Sequence, residues 1–207
     1  NLAEKITSEK PVLNVTKILL DSYVQEASAG GARFPKARTD LFNAFEKGAL
    51  VFNYLGHGGE DGLAVERIWE KSDGQNLNNP FRYPLFVTIT CEFSRFDNPL
   101  RPTAGEYTYW NPKGGAIAMI TTIRSIGQFS AENFNPLLTK NILSFGSNNY
   151  ISMAEALRIS KNTNPNSSTN VVVFIGDPAL HLAIAKPKIN LTKVNDIAIS
   201  QPIDDFK

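Results

Sequence analysis

Leu50-Val51-Phe52-Asn53-Tyr54-Leu55-Gly56-His57-Gly58-Gly59 runs largely apolar and then breaks at a glycine-flanked histidine. Leu85-Phe86-Val87-Thr88-Ile89-Thr90-Cys91 repeats the pattern and ends at the single cysteine of the chain. Gly115 to Thr122 (GAIAMITT) and Asn170 to Ile175 (NVVVFI) are two more such runs, the last ending at Gly176-Asp177-Pro178. Strands that are apolar throughout, rather than alternating, belong to a parallel sheet covered on both faces by helices.

The segments between them fit that layer scheme. Asn1 to Glu9 reads as the end or start of a short helix. Thr39 to Lys47 reads as another, with Leu41, Phe42 and Phe45 on one face and Gly48 as its C-terminal stop. Helical stretches are expected around Phe134 to Phe145 and Ser152 to Lys161, the second opened by a capping box of Ser152 and Glu155. Val15 to Leu20 (VTKILL) reads as a further strand, and Ala27 to Lys36, with Gly30, Gly31 and Pro35, as a loop. The expectation is an α/β fold, a mostly parallel sheet flanked by helices. A boundary is expected near 187, with residues 187–207 a linker or the first strand of a following β domain.

Composition narrows the function. With 21 basic and 20 acidic residues the net charge is +1, which argues against nucleic acid as a partner. No apolar run approaches the ~18 residues a membrane span needs. One cysteine and two histidines make a zinc site hard to assemble. No cofactor is implied, and neither compartment nor redox environment follows from a lone cysteine.

Those same two residue types carry the candidate chemistry. His57 and Cys91 each directly follow a strand, at the carboxyl ends where sites in open parallel sheets gather. They lie 34 residues apart, enough for a loop, a helical segment and a return to a parallel neighbour ~4.8 Å away. A cysteine with a histidine is the minimal apparatus of a thiol protease. Gly56, Gly58 and Gly59 permit a sharp turn, and the backbone N–H groups of Gly58 and Cys91 are the candidate oxyanion donors. Residue type alone reads Cys91 as a small buried hydrophobe and His57 as a turn residue; the coincidence of both at successive strand ends sets the catalytic reading level with that one. Glu60, Asp61 and Glu92 flank the pair as loop carboxylates that could orient the imidazole. His181 reads as structural. A serine-hydrolase elbow, a Walker loop and a dinucleotide glycine motif are all lacking.

Asn53-Tyr54-Leu55-Gly56-His57-Gly58 also resembles the histidine motif of the gingipain-type cysteine peptidases, peptidase family C25 of the caspase-like clan. Phe86 to Cys91 resembles that family's nucleophile strand, and Phe174-Ile175-Gly176-Asp177-Pro178-Ala179-Leu180 its closing segment. Cys91 to Pro99, Ala104-Gly105-Glu106 and Trp110-Asn111-Pro112-Lys113-Gly114-Gly115-Ala116 are similar to the family's PorU-type branch, the sorting enzymes of type IX secretion.

The resemblance implies that residues 1–186 form the C-terminal part of a caspase-like peptidase domain, with further strands and helices preceding it in the family. It implies Cys91 as nucleophile, His57 as general acid/base, and Thr122, Arg124 and Ser125 as possible substrate-pocket contacts. For the branch it implies removal of the C-terminal sorting domain from secreted cargo and joining of the cargo to anionic lipopolysaccharide. The implied setting is the cell surface at the outer membrane of Bacteroidota, beside a PorV-type β-barrel partner. A gingipain-like endopeptidase without transfer, and a non-catalytic scaffold, stand as the alternatives.

Overall fold

The computed structural model describes residues 1–185, 192–194 and 197–198. Helix α1 (Leu2–Glu9) is opened by an Asn1–Glu4 capping box. A hairpin of β1 (Glu26–Ser28) and β2 (Gly31–Arg33) then leads into α2 (Pro35–Lys47). Strand β3 (Val51–Leu55) is followed by a small antiparallel sheet of β4 (Gly58–Gly59), β5 (Gly62–Leu63) and β6 (Trp69–Glu70). Next come α3 (Lys71–Asn76), β7 (Leu85–Ile89), α4 (Ala104–Trp110) and β8 (Ala118–Thr122). The chain continues through α5 (Gln128–Ile142), α6 (Met153–Thr163) and β9 (Val172–Ile175). A short ladder pairs β10 (Lys193–Val194) with β11 (Ile197–Ala198). Most of the expected linker or strand after 187 lies outside the described residues.

The main sheet runs β3-β7-β8-β9, with β3, β7 and β8 parallel. Its alternating side chains feed two cores. Leu85, Val87, Ile89, Ala118 and Ile120 face α5 and α6, meeting Phe134, Leu138, Met153 and Leu157. Phe86 and Met119 face the other way, into a cluster with Leu41, Phe45, Trp69 and Phe93. There the Phe86 ring lies 4.3 Å from Phe52, 5.1 Å from Trp69 and 6.0 Å from Phe45, centroid to centroid. β7 is fully buried, as a run apolar but for Thr88 requires, and the Thr88 hydroxyl is satisfied by Thr121. Among the described residues no helix is long and apolar enough to cross a membrane.

The sheet is mostly parallel, as expected, and the exception is its last strand: β9 is antiparallel to β8, pairing Met119 with Ile175 and Thr122 with Val172. Two helices lie between these strands instead of one. α5 carries the chain from the carboxyl end of β8 to the opposite end, and α6 carries it back, so β9 must run the other way.

Several local expectations shift as well. The stretch Val15 to Leu20 forms no strand: residues 15–19 have no ladder partner among the described residues, and a 3-10 turn follows at Leu20–Ser22. Ile18 and Leu20 still pack on the aromatic cluster, which is why the stretch is apolar. The expected loop at Ala27 to Lys36 is mostly the β1–β2 hairpin plus the first turn of α2, where Pro35 suits a helix N-terminus because its missing N–H would have no partner there. Gly48 ends α2 at φ 96°, a left-handed conformation that favours glycine. α5 begins well before Phe134, and Pro136 sits on its exposed side. Only half of the Ser152 capping box forms: Ser152 Oγ accepts from Glu155 N, while the Glu155 carboxylate pairs with Arg158 at 2.7 Å.

Candidate active site

The β3–β7 ladder is in register from Val51 opposite Leu85 to Leu55 opposite Ile89. His57 lies two residues beyond Leu55 and Cys91 two residues beyond Ile89, so both leave the sheet at the same level on neighbouring strands. One step below them the strands remain tied, because Thr90 Oγ1 donates to the Gly56 carbonyl at 2.6 Å. Ile89, the last residue of β7, packs into the core shared with α5. The Cys91 sulfur lies 3.7 Å from the Ile126 carbonyl, just ahead of the first turn of that helix. The thiol is partly buried and the imidazole is exposed; no hydrogen bond joins the two side chains.

The backbone of His57 is held from two sides. Its carbonyl accepts from Tyr54 Oη at 2.6 Å and from Ala64 N at 2.8 Å. Burial pushes the Tyr54 phenol up to about 12. The Ala64 bond also sets the parity of the β4–β5 ladder. If His57 and Ala64 are a hydrogen-bonded pair, Gly58 opposite Leu63 is a non-hydrogen-bonded one, and the Gly58 N–H points away from β5. Gly58 stands against Thr90: a Cβ there would lie 2.7 Å from Thr90 Oγ1 and 2.8 Å from its methyl. The two candidate oxyanion donors therefore flank one residue, Thr90, and among the described residues no backbone acceptor outside the strand ladders takes either N–H.

After Cys91 the chain turns sharply, with Glu92 at φ 51°. Buried hydroxyls hold this turn to the sheet. Thr121 Oγ1 accepts from Thr88 at 2.9 Å and lies 2.9 Å from Ser94 Oγ, and Ser94 N donates to the Thr122 carbonyl at 3.0 Å. Gly105 of α4 packs so closely on Ser94 that a Cβ would sit 1.9 Å from its Oγ. On the other face, Asn53 of β3 and Asn135 of α5 exchange amide hydrogen bonds of 2.8 and 2.9 Å.

Of the residues expected in a substrate pocket, Thr122 takes a different place. It is fully buried and its hydroxyl donates to the Thr90 carbonyl, so it supports the strand that ends in Cys91. Arg124 is paired with Asp97 through its two terminal guanidinium nitrogens, and Ser125 is exposed beside Ile126. The Arg124 hydrogen bond holds Asp97 below its ordinary value. The flanking carboxylates are all engaged away from His57: Asp61 by Lys71 and Arg101, Glu92 by Arg95, and Glu60 by Arg95, Asn98 and Arg101. His181 Nδ1 sits 2.9 Å from the Tyr150 carbonyl, a structural tie far along the chain. Among the described residues no group of three or more His, Cys, Asp or Glu could hold a metal ion.

Sequence reasoning missed Thr90, Tyr54, Asn53 and Asn135 as supports of the site. Three of them lie inside the quoted motifs, but a supporting hydrogen bond has no sequence signature. Asn135, on a helix far along the chain, had no signal at all.

Compared with known proteins, residues 1–183 match the model of peptidase family C25. The complex of Porphyromonas gingivalis RgpB pro- and mature domains aligns with a TM-score of 0.58 and 18% identity, covering 70% of this chain and 37% of that one. The crystal structure of the Arg specific cysteine proteinase gingipain R (RGPB) gives 0.55 at 18% identity, covering 70% and 36%. A structure described as "Structure of Protease" gives 0.59 at 16% identity, covering 74% and 40%. At these identities the likeness is one of fold, and the aligned part is well under half of each structure's own chain. No curated protein matches this chain.

Proposed function

The chain belongs to peptidase family C25, and on that premise we propose that Cys91 and His57 are the nucleophile and general acid/base of a cysteine peptidase. The observation that carries this reading is the common offset of the two residues beyond the register pair Leu55 and Ile89. Neighbouring parallel strands lie ~4.8 Å apart, so side chains that leave both ends at one level can meet over a bound peptide. The Cys91 proton passes to His57, the sulfur attacks the scissile carbonyl, and the N–H groups of Gly58 and Cys91 bind the developing oxyanion. His57 then protonates the departing amine, leaving an acyl-enzyme on Cys91. A second nucleophile, water or an amine, gives its proton to His57 and releases the acyl group.

The finer reading is a PorU-type sorting transpeptidase. In it the acyl donor is secreted cargo with a C-terminal sorting domain, and the second nucleophile is an amine of anionic lipopolysaccharide. The enzyme works at the outer-membrane surface beside a PorV-type β-barrel. What supports it is the run of motifs from Cys91 to Ala116. A feature of the site points the same way. One relative in fold is an Arg specific proteinase, and selecting a basic side chain calls for a free carboxylate. Here Glu60, Asp61, Glu92 and Asp97 are each already paired with a basic group.

The test uses the full-length protein in its own host. Cys91→Ala leaves sorting domains on cargo if the dyad reading is right, and normal processing overturns it in favour of a scaffold. Mass spectrometry of the new cargo C-termini separates the two enzymatic readings: glycan-linked ends support transfer, and free ends support a plain endopeptidase.

A further inference from the structure

The main ladder stops at Leu55 and Ile89, so something else must hold the loop that carries His57 against the loop that follows Cys91. Glu60 and Asp61 form the two-residue turn between β4 and β5, a hairpin that starts just past His57. Glu60 is 8% exposed, and its carboxylate reaches into the segment after Cys91. Oε2 accepts from Arg101 Nε at 2.8 Å and Asn98 Nδ2 at 3.0 Å; Oε1 accepts from Asn98 Nδ2 at 3.2 Å and Arg95 Nη1 at 3.3 Å. Its own carbonyl accepts from Ala104 N at 2.8 Å, at the first residue of α4. Apart from the bonds from Thr90 to Gly56 and from Arg101 to Asp61, every hydrogen bond between these two segments goes to Glu60, among the described residues.

We propose that Glu60 is a positioning residue, a buried carboxylate that clamps the His57 hairpin to the Cys91 loop and thereby sets the reach between imidazole and thiol. The proposal rests on the reading of Cys91 and His57 as the reacting pair. Glu60 touches neither side chain, so it is not a third member of a triad. A carboxylate taken from water needs charged and well-aligned donors to offset its desolvation, and two guanidinium groups with a bifurcated amide supply them. Because those donors all come from the segment after Cys91, the fold holds this charge comfortably only when the two loops are docked. Burial acts to raise the Glu60 carboxyl; the hydrogen bonds of Arg101 and Asn98 and the charges of Arg101 and Arg95 outweigh it, leaving it below its ordinary value and charged at neutral pH.

The test follows alkylation of Cys91 by iodoacetamide against pH in the full-length protein, read on the Cys91 peptide by mass spectrometry, beside the melting temperature of each variant. His57→Ala sets the reference profile for a thiol without its base. Glu60→Gln keeps the volume and loses the charge. The expected result is a folded protein whose Cys91 reacts about five- to tenfold more slowly at neutral pH, its profile displaced toward that of His57→Ala, with partial recovery in Glu60→Asp. A wild-type profile in Glu60→Gln, with a displaced one in His57→Ala, overturns the clamp and leaves the dyad standing. A wild-type profile in His57→Ala overturns the dyad and the clamp together. If Glu60→Gln fails to fold, Arg101→Gln carries the test from the other side of the pair: displacement in the same direction supports the clamp, and an unchanged profile overturns it.

Discussion

Gly58 and Thr90 face each other across the gap between the histidine loop and the cysteine strand, and their contact can be measured as a coupling energy. Gly58→Ala would place a Cβ 2.7 Å from Thr90 Oγ1 and 2.8 Å from Thr90 Cγ2, well inside ordinary contact, with the Gly62 carbonyl at 3.3 Å. Overpacking of that kind costs ~1–3 kcal/mol, offset by ~0.4–1 kcal/mol from the stiffer unfolded chain, for a net loss of about 1–2 kcal/mol. Thr90 is 2% exposed and donates to Gly56 at 2.6 Å, so Thr90→Ala loses a hydrogen bond and a buried methyl, together ~1.5–2.5 kcal/mol. In the double variant the threonine side chain that the new methyl would strike is gone. Gly58→Ala should then cost ~0–0.5 kcal/mol, which makes the pair less than additive by about 1–2 kcal/mol. Urea unfolding of the four proteins, followed at tryptophan fluorescence, gives the cycle. Additive losses within ~0.5 kcal/mol would show that the glycine is there for some reason other than the approach of Thr90.

Phe86→Ala should be the most damaging of the simple core truncations, lowering stability by ~3–5 kcal/mol in the same unfolding assay, because its fully buried ring touches Phe45, Phe52, Trp69 and Phe93. A loss below ~1 kcal/mol would mean the aromatic cluster collapses to fill the space. Tyr54 should be the late phenol in an alkaline absorbance titration, ionising near the value of about 12 to which burial pushes it. Its folded value lies above the unfolded one, so the stability it contributes is complete below about pH 10 and is lost as pH rises toward 12. Tyr54→Phe should remove that titration step and flatten that part of the stability curve; an unchanged titration would refute the assignment.

The layer scheme was legible in the sequence because it rests on periodicity. Runs such as LFVTIT and GAIAMITT are built of apolar residues and threonine on both faces, with no charged side chain, as suits a strand covered by helices on both sides. The helix stop at Gly48 was legible for a similarly local reason. The direction of β9 was not. It depends on how many helices intervene and where they pack, and the Val172–Ile175 run reads the same in either direction. The stretch Val15 to Leu20 shows the limit from the other side: an apolar, β-branched run is a strand only if a partner lies beside it.

The site divides in the same way. Sequence alone placed one histidine and the only cysteine at the ends of consecutive buried runs, and its motifs pointed to a cysteine-peptidase family. Those are properties of residue type and spacing along the chain. Which of the surrounding polar residues bind, and which merely hold, only the tertiary structure decided. Thr122 looks like a pocket residue in the sequence and is buried beneath Thr90 in the fold. Glu60 looks like a solvated loop carboxylate and is the buried joint between two loops. The physical reason is that a polar side chain takes its role from the partner that satisfies it. In this protein those partners come from residues distant in sequence, brought together by strand register and helix packing.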